Sequence, residues 1–323
     1  MPKMRKNTSD TVGLIGLGLM GQGIASCLIA NGLKVIAYSR SAERENQSRL
    51  RIGEALNQLV ERKFIERSRT AGWQERFIFV RSLEELKACP FIIETVKEDL
   101  KLKREIYSQL EAFLPAGTVI ASNTSSIPIS ILQEGRRHPR RFIGMHWAEP
   151  AEITRYQEII KGRLTSARAI NQAVRLAERC GKEPSVLNFD IRGFISNRLM
   201  YAMMREACYL VEAGVADIET VDRSFRNDIG WWATIAGPFR WMDLTGIPAY
   251  ATVMEGLFPE LSNARMVPKI MKVTAESGAQ GITNLKGFYG YSKESARAWE
   301  KAWMDFTYDI RKLVEKYEER VKP

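Results

Sequence analysis

The sequence predicts an α/β protein, with a doubly wound sheet domain in its N-terminal half and an all-helical domain after it. Short apolar runs alternate with helical stretches through the first half, the pattern of a parallel sheet covered by crossover helices. A glycine-rich loop, GLGLMG (16–21), directly follows the first apolar run and opens an apolar helix. From Gly193 onward the strand signals fade, and Phe194, Leu199, Met203 and Leu210 recur at helical spacing.

TVGLIGL (11–17), KVIAYS (34–39), RFIFV (76–80), FIIETV (91–96), GTVIAS (117–122) and RFIGMH (141–146) are the predicted strands. Helices are predicted over 42–62 and 99–113, the second stopped by Pro115 and Gly117. At 323 residues the chain is long for one core, and 45% apolar residues are enough to fill two. The boundary is expected in KEPSVLNFDIRG (182–193), where a short strand gives way to a polar, glycine-containing segment, dividing the chain into 1–191 and 192–323. In the tail, Trp299, Trp303, Phe306, Ile310 and Leu313 repeat as an added helix would, packing on the second domain or on a partner subunit.

Cys27, Cys89, Cys180 and Cys208 are scattered without a C-x-x-C pair, and two histidines cannot make a His-rich metal site. A reducing compartment and no metal are expected. No run of eighteen apolar residues occurs and the opening MPKMRKNTSD is polar, so a soluble cytoplasmic protein without a membrane partner is expected. The formal charge of +10 favours an anionic partner, although segments such as KLVEKYEERVK read as solvated helix surface. Charge alone does not choose that partner, and a nucleic-acid partner is not expected, because no basic, aromatic-interleaved stretch accompanies it.

In a strand, loop and helix setting each glycine has a task. Gly16 permits the tight turn, Gly18 lets a pyrophosphate approach the backbone, and Gly21 lets the helix pack close to the sheet. Gly16, Gly18, Leu19, Met20 and Gly21 are thus the predicted dinucleotide loop, at a helix N-terminus suited to phosphate. After the second strand, where an NAD site usually carries Asp or Glu for the ribose hydroxyls, stand Ser39 and Arg40. A hydroxyl followed by a guanidinium can hold a 2′-phosphate, so NAD(P) is expected, with NADP favoured over NAD. The alternative leaves Arg40 stacked on adenine or in solvent.

MHWAEPAEITRYQEII (145–160) holds His146, with Glu158 twelve residues on. A strand ending at His146, a turn through Pro150 and a second strand, TRYQEII, would bring the two side chains together. An imidazole can take a proton near neutral pH, and a carboxylate on its other nitrogen fixes the tautomer and stabilises the imidazolium. Without context, a histidine at a strand end is more often structural. His138, in the basic loop EGRRHPRR, reads as a surface residue.

After the glycine loop come, in order, SNTSS (122–126), His146 with Glu158, RGFISNRL (192–199) and AGPFRWMDLTG (236–246). Together these stretches resemble the 3-hydroxyacyl-CoA dehydrogenase family over roughly residues 11–290. The resemblance implies a Rossmann-like N-terminal domain, a helical C-terminal domain that commonly forms the interface of a homodimer, and hydride transfer at a 3-hydroxy group. It places the general base on His146 and its orienting carboxylate on Glu158. Ser125 and Asn197 then lie near the substrate oxygen, where both can donate to a developing alkoxide or carbonyl. Glu98 and Lys103, in VKEDLKLK (96–103), flank the cofactor, and Asn123 is counted with them. Read alone, Ser125 also suits a turn, Asn197 a helix cap, and Glu98 a helix N-terminus. The implied partner is a small molecule, a CoA thioester, interconverted between 3-hydroxyacyl and 3-oxoacyl forms.

Two departures from the family pattern bear on the substrate. Trp147, Ala148 and Glu149 replace the usual two aromatics and asparagine after the histidine, and GWWATIAGPFRW puts Trp231, Trp232 and Trp241 near a family motif. An acid with aromatic faces can bind a quaternary ammonium group, whereas tryptophan in a helical domain is more often core. A dehydrogenase of a free 3-hydroxy acid, such as carnitine or a sugar acid, is therefore the alternative, and a cofactor-binding homologue without catalysis is another. Arg44, Arg51 and Arg62 are available either to the 3′-phosphate of coenzyme A or to solvent.

Overall fold

Near-continuous runs of Val, Ile and Leu need cover on both faces, which a parallel sheet flanked by helices supplies. The computed structural model describes residues 10–321. Six strands lie where the apolar runs predict them: β1 (Thr11–Ile15), β2 (Lys34–Tyr38), β3 (Phe77–Val80), β4 (Phe91–Glu94), β5 (Val119–Ser122) and β6 (Phe142–Trp147). With β7 (Tyr156–Ile160) and β8 (Glu183–Leu187) they form one sheet in the order β3-β2-β1-β4-β5-β6-β7-β8. All neighbours are parallel except β6 and β7, whose antiparallel register sets His146 directly opposite Glu158.

The crossover helices are α1 (Leu19–Ala30), α2 (Arg44–Glu61), the single turns α3 (Arg67–Thr70) and α4 (Trp73–Arg76), α5 (Leu100–Phe113), α6 (Ile129–Gln133) and α7 (Ala167–Arg179). Local chemistry starts and stops them. Asp99 caps α5 by accepting from Leu102 N at 2.8 Å, and Ser166 caps α7 by accepting from Ala169 N. The order reverses between β1 and β4, and ligands of such sheets bind in the crevice at the carboxyl ends of the strands flanking the reversal. Beneath it, Ile15, Ile92 and Ile120 of the central strands pack with Tyr107 and Leu110 of α5.

One buried anion locks the floor of this crevice. Glu94, at the end of β4, is fully buried and accepts from Lys103 Nζ (2.8 Å), Tyr107 Oη (2.5 Å), Ser122 Oγ (2.8 Å) and Val96 N (2.7 Å). A carboxylate out of water is tolerated only when paired and hydrogen-bonded in this way. It joins β4, β5 and α5 at their site-facing ends.

The second compact unit begins at Arg198, six residues beyond the expected division, because the first two residues of the next helix belong to the sheet unit. Its helices are α8 (Ser196–Glu212), α9 (Ile218–Asn227), α10 (Ile229–Ala233), α11 (Gly237–Thr245), α12 (Ile247–Leu257), α13 (Lys269–Glu276) and α14 (Lys293–Glu318). The apolar spacing read as helical does fall on a helix from Leu199 onward, but it marks no core within this unit. Leu199 and Met203 are exposed, and Phe194, although buried, precedes the helix with a left-handed φ of 51°. Trp232 and Trp241 stack at 5.3 Å while Trp231 is exposed. On α14 the helical spacing is as expected; of the stripe, Trp299, Trp303, Phe306 and Leu313 face outward and Ile310 is half-buried, while Tyr308 is the large side chain that is buried.

After β6, across the cis peptide Glu149–Pro150, two acids gather on one guanidinium. Arg51 Nη2 of α2 lies 3.8 Å from Glu149 and 3.9 Å from Glu152, and Oε2 of each acid lacks a hydrogen-bond partner among the described residues. Burial pushes Glu149 up to about 7, the charge of Glu152 adds to this, and Arg51 opposes it. The folded state therefore binds more protons than the unfolded one between the usual carboxylate value and pH 7, so Glu149 costs stability as pH rises through that window. Glu149→Gln should leave the melting temperature nearly unchanged at pH 4.5 and raise it by about 2–4 °C at pH 8. Equal effects at both pH values in thermal melts would refute this.

Candidate active site

At the crevice the glycine loop fits a dinucleotide on three geometric counts. Gly16 has a φ of 98°, and a Cβ there would stand 2.8 Å from Thr95 O; one at Gly21 would stand 2.1 Å from Gly16 O. Gly18 has nothing within 4 Å of the place its Cβ would take, which leaves an open approach to the backbone. Gly18 caps α1 without any side-chain bond, and the first intrahelical bond from the loop is Gln22 N to Gly18 O at 3.0 Å. The N–H groups of Leu19, Met20 and Gly21 precede that bond and carry the positive end of the helix dipole, so a pyrophosphate fits here. Ser39, half-buried, and Arg40, exposed, follow β2 directly.

Glu98 organises the opposite wall. Its Oε1 accepts from Thr124 Oγ1 (2.6 Å), Ser125 N (3.0 Å), Ser126 N (3.0 Å) and Ser126 Oγ (3.2 Å). Burial raises this carboxyl, but the Thr124 hydroxyl, the Lys103 charge and the two backbone N–H groups outweigh it and hold it below the usual range. Lys103 itself departs from expectation. It is fully buried on Glu94 and stands 3.5 Å from Glu98, so it acts on the crevice through those acids and does not line it. Asn123 is also engaged, donating from Nδ2 to Thr95 Oγ1 (3.3 Å) and accepting Trp147 N at Oδ1 (2.9 Å), which ties together the ends of β4, β5 and β6. Ser125 keeps an exposed position, and Asn197 Nδ2 donates to its carbonyl at 3.0 Å.

His146 and Glu158 meet as the spacing predicts. Nδ1 lies 3.0 Å from Glu158 Oε2, while Glu158 Oε1 accepts Ile195 N (3.0 Å) and Ser196 N (2.9 Å) from the entry to α8. Burial pushes Glu158 up, yet the bonds from His146, Tyr156 and those two N–H groups prevail, and it stays below the usual carboxylate range. An ionised carboxylate on Nδ1 favours the tautomer that leaves Nε2 bare, which is the form able to accept a proton.

Three residues at the site escaped sequence reasoning. Tyr156 places its hydroxyl 2.8 Å from His146 Nδ1; being two residues before Glu158 on one strand, it shares that face, and this signal was readable. Phe194 sets its ring 5.6 Å from that of His146, and its left-handed backbone leaves no mark in the sequence. Glu94 closes an apolar strand, and its partners Lys103, Tyr107 and Ser122 lie too far along the chain for spacing to reveal them. Among the described residues no group of three His, Cys, Asp or Glu side chains could hold a metal, and no helix is long and apolar enough to cross a membrane.

Two family models match the chain. One, described as 3-hydroxyacyl-CoA dehydrogenase, NAD binding domain, covers residues 11–190, and the other, 3-hydroxyacyl-CoA dehydrogenase, C-terminal domain, covers 193–291. The chain is 30% identical over 308 residues to 5-formyl-3-hydroxy-2-methylpyridine 4-carboxylate 5-dehydrogenase of Mesorhizobium japonicum, spanning 94% of this chain and 98% of that one. It is also 30% identical over 281 residues to a probable 3-hydroxybutyryl-CoA dehydrogenase of Deinococcus radiodurans, spanning 86% and 99%. A crystal structure of an enzyme bearing the pyridine-carboxylate dehydrogenase name, described as an NAD+ dependent dismutase, superimposes with a TM-score of 0.89 at 29% identity over 95% of this chain and 99% of that one. The (S)-3-hydroxybutyryl-CoA dehydrogenase of Ralstonia eutropha gives 0.74 at 29% identity over 88% and 100%. With both family models in sequence order over most of its length, this chain belongs to the 3-hydroxyacyl-CoA dehydrogenase family.

Proposed function

We propose that this dehydrogenase oxidises or reduces a small free acid at a hydroxyl or carbonyl carbon, with His146 as acid/base and Glu158 as its partner. The hydrogen bond between His146 Nδ1 and Glu158 carries the reading. Bound at the glycine loop, a nicotinamide dinucleotide would supply the hydride acceptor or donor. In oxidation His146 Nε2 takes the substrate hydroxyl proton, and in reduction it returns one to the carbonyl oxygen. Glu158 holds the ring in place and offsets the positive charge that forms on it. Ser125, whose carbonyl is held by Asn197, is positioned to donate its hydroxyl to the substrate oxygen.

Two observations favour a free acid over a CoA thioester. The likeness to the pyridine-carboxylate dehydrogenase extends further along this chain and superimposes better than that to the 3-hydroxybutyryl-CoA enzymes. Arg51, one of the arginines available to a CoA phosphate, is taken up by Glu149 and Glu152. The CoA thioester stands as the second reading, supported by the names of both matching families. For the cofactor, the neighbour described as NAD+ dependent favours NAD, and Arg40 is the residue through which NADP would be preferred.

The exposed tryptophans, Phe239 and Leu244 of the helical unit need cover that the unit itself does not provide, so we propose that a second copy of this chain covers them as a homodimer. Monomeric sedimentation at micromolar concentration would remove that reading.

His146→Ala should lower kcat by about two to four orders of magnitude while cofactor affinity stays within about twofold. Full activity in this variant would refute the acid/base assignment. Nicotinamide absorbance should change faster with 5-formyl-3-hydroxy-2-methylpyridine 4-carboxylate than with acetoacetyl-CoA, and with the NAD couple more than with the NADP couple. A marked advantage for acetoacetyl-CoA would establish the thioester, and one for NADPH that Arg40→Ala abolishes would give Arg40 its role.

A further inference from the structure

We propose that Tyr156 is a positioning residue, whose hydroxyl bridges His146 Nδ1 and Glu158 and shares the charge that Glu158 presents to the imidazole. The inference rests on the acid/base role proposed above for His146. Two oxygens address the same ring nitrogen, Tyr156 Oη at 2.8 Å and Glu158 Oε2 at 3.0 Å, and the rings of His146 and Tyr156 meet edge to face at 5.6 Å. One in-plane nitrogen offers a single proton or a single lone pair. The ionised carboxylate has no proton to give, whereas the phenol has one. The consistent arrangement directs Nδ1–H between both oxygens and has Tyr156 donate its O–H to Glu158.

In that arrangement Glu158 holds four donors, Ile195 N and Ser196 N on Oε1, His146 Nδ1 on Oε2, and the Tyr156 hydroxyl. Burial first, and then the hydrogen bond to Glu158 and its charge, push the Tyr156 hydroxyl far above the usual tyrosine range, so it remains a donor at every working pH. The groups placed around His146 are Glu158 and Tyr156 from β7, the Phe194 ring and the Ile195 and Ser196 N–H groups from the entry to α8, and Gln157 Nε2, which donates to the His146 carbonyl at 3.0 Å. Of these only Glu158 and Tyr156 titrate. Each donor drawn onto the carboxylate leaves less of its charge to hold a proton on the imidazole. The neutral Tyr156 oxygen that shares Nδ1–H is a weaker acceptor than the carboxylate whose charge it draws off, so on balance Tyr156 keeps His146 ready to release the proton it takes.

Tyr156→Phe removes one oxygen and retains the ring that packs against His146. With only two histidines in the chain, 13C-labelled histidine resolves His146 by NMR, and exposed His138 serves as internal control. In the variant the His146 titration midpoint should rise by about half a pH unit, a roughly threefold gain in proton affinity, with His138 unmoved. The acid limb of kcat/KM for oxidation should move to higher pH with it, and kcat should fall severalfold at constant cofactor KM. A midpoint that stays or falls overturns the proposal. The titration needs no turnover, so it decides the role of Tyr156 even if His146→Ala keeps its activity and the catalytic reading fails.

Discussion

The Glu158 carboxylate is the constraint on which the rest of the site depends. Buried anions are stable only when their lone pairs are filled, and Glu158 fills its own from three parts of the chain: His146 on β6, Tyr156 on β7 and the backbone entering α8. Meeting that requirement draws the first two residues of α8 onto the sheet unit, which is why the compact unit ends at Asn197 and not at the polar segment before it. The same bonds seat Phe194 beside the imidazole and bring Asn197 within reach of the Ser125 carbonyl.

A second buried carboxylate does for the crevice floor what Glu158 does for the His146 pair. Glu94 ties Lys103, Tyr107 and Ser122 together, and Lys103 passes part of its charge to Glu98, which in turn pins the loop carrying Ser125. Charged residues that resemble cofactor contacts in one dimension thus become supports one layer down. The third cluster, Glu149 and Glu152 on Arg51, differs in being incompletely satisfied, and it engages an arginine that a phosphate would otherwise use.

The helical unit poses the opposite problem, too much apolar surface and too little cover. Periodicity correctly marked the unit as helical and its last helix, α14, as an addition, yet the apolar side chains Leu199, Met203, Trp299 and Trp303 that carry the pattern face outward. Helical spacing states that one face of a helix is apolar and says nothing of what lies against it. That is settled only by the surfaces which other elements, or other chains, bring to it.

By itself the sequence determined the strands, the glycine loop and the pairing of His146 with Glu158, because each rests on short-range physics: β-propensity, the left-handed turn at Gly16, and a twelve-residue hairpin span that sets the two residues opposite each other. Only the tertiary structure decided that Lys103 lies beneath the crevice, that Arg51 is neutralised by two acids, and that Tyr156 shares a nitrogen with Glu158. Those outcomes depend on which buried charges find partners far away in sequence. Partner choice of that kind is a property of the packed interior, where leaving a charge unpaired costs more than any local preference can repay.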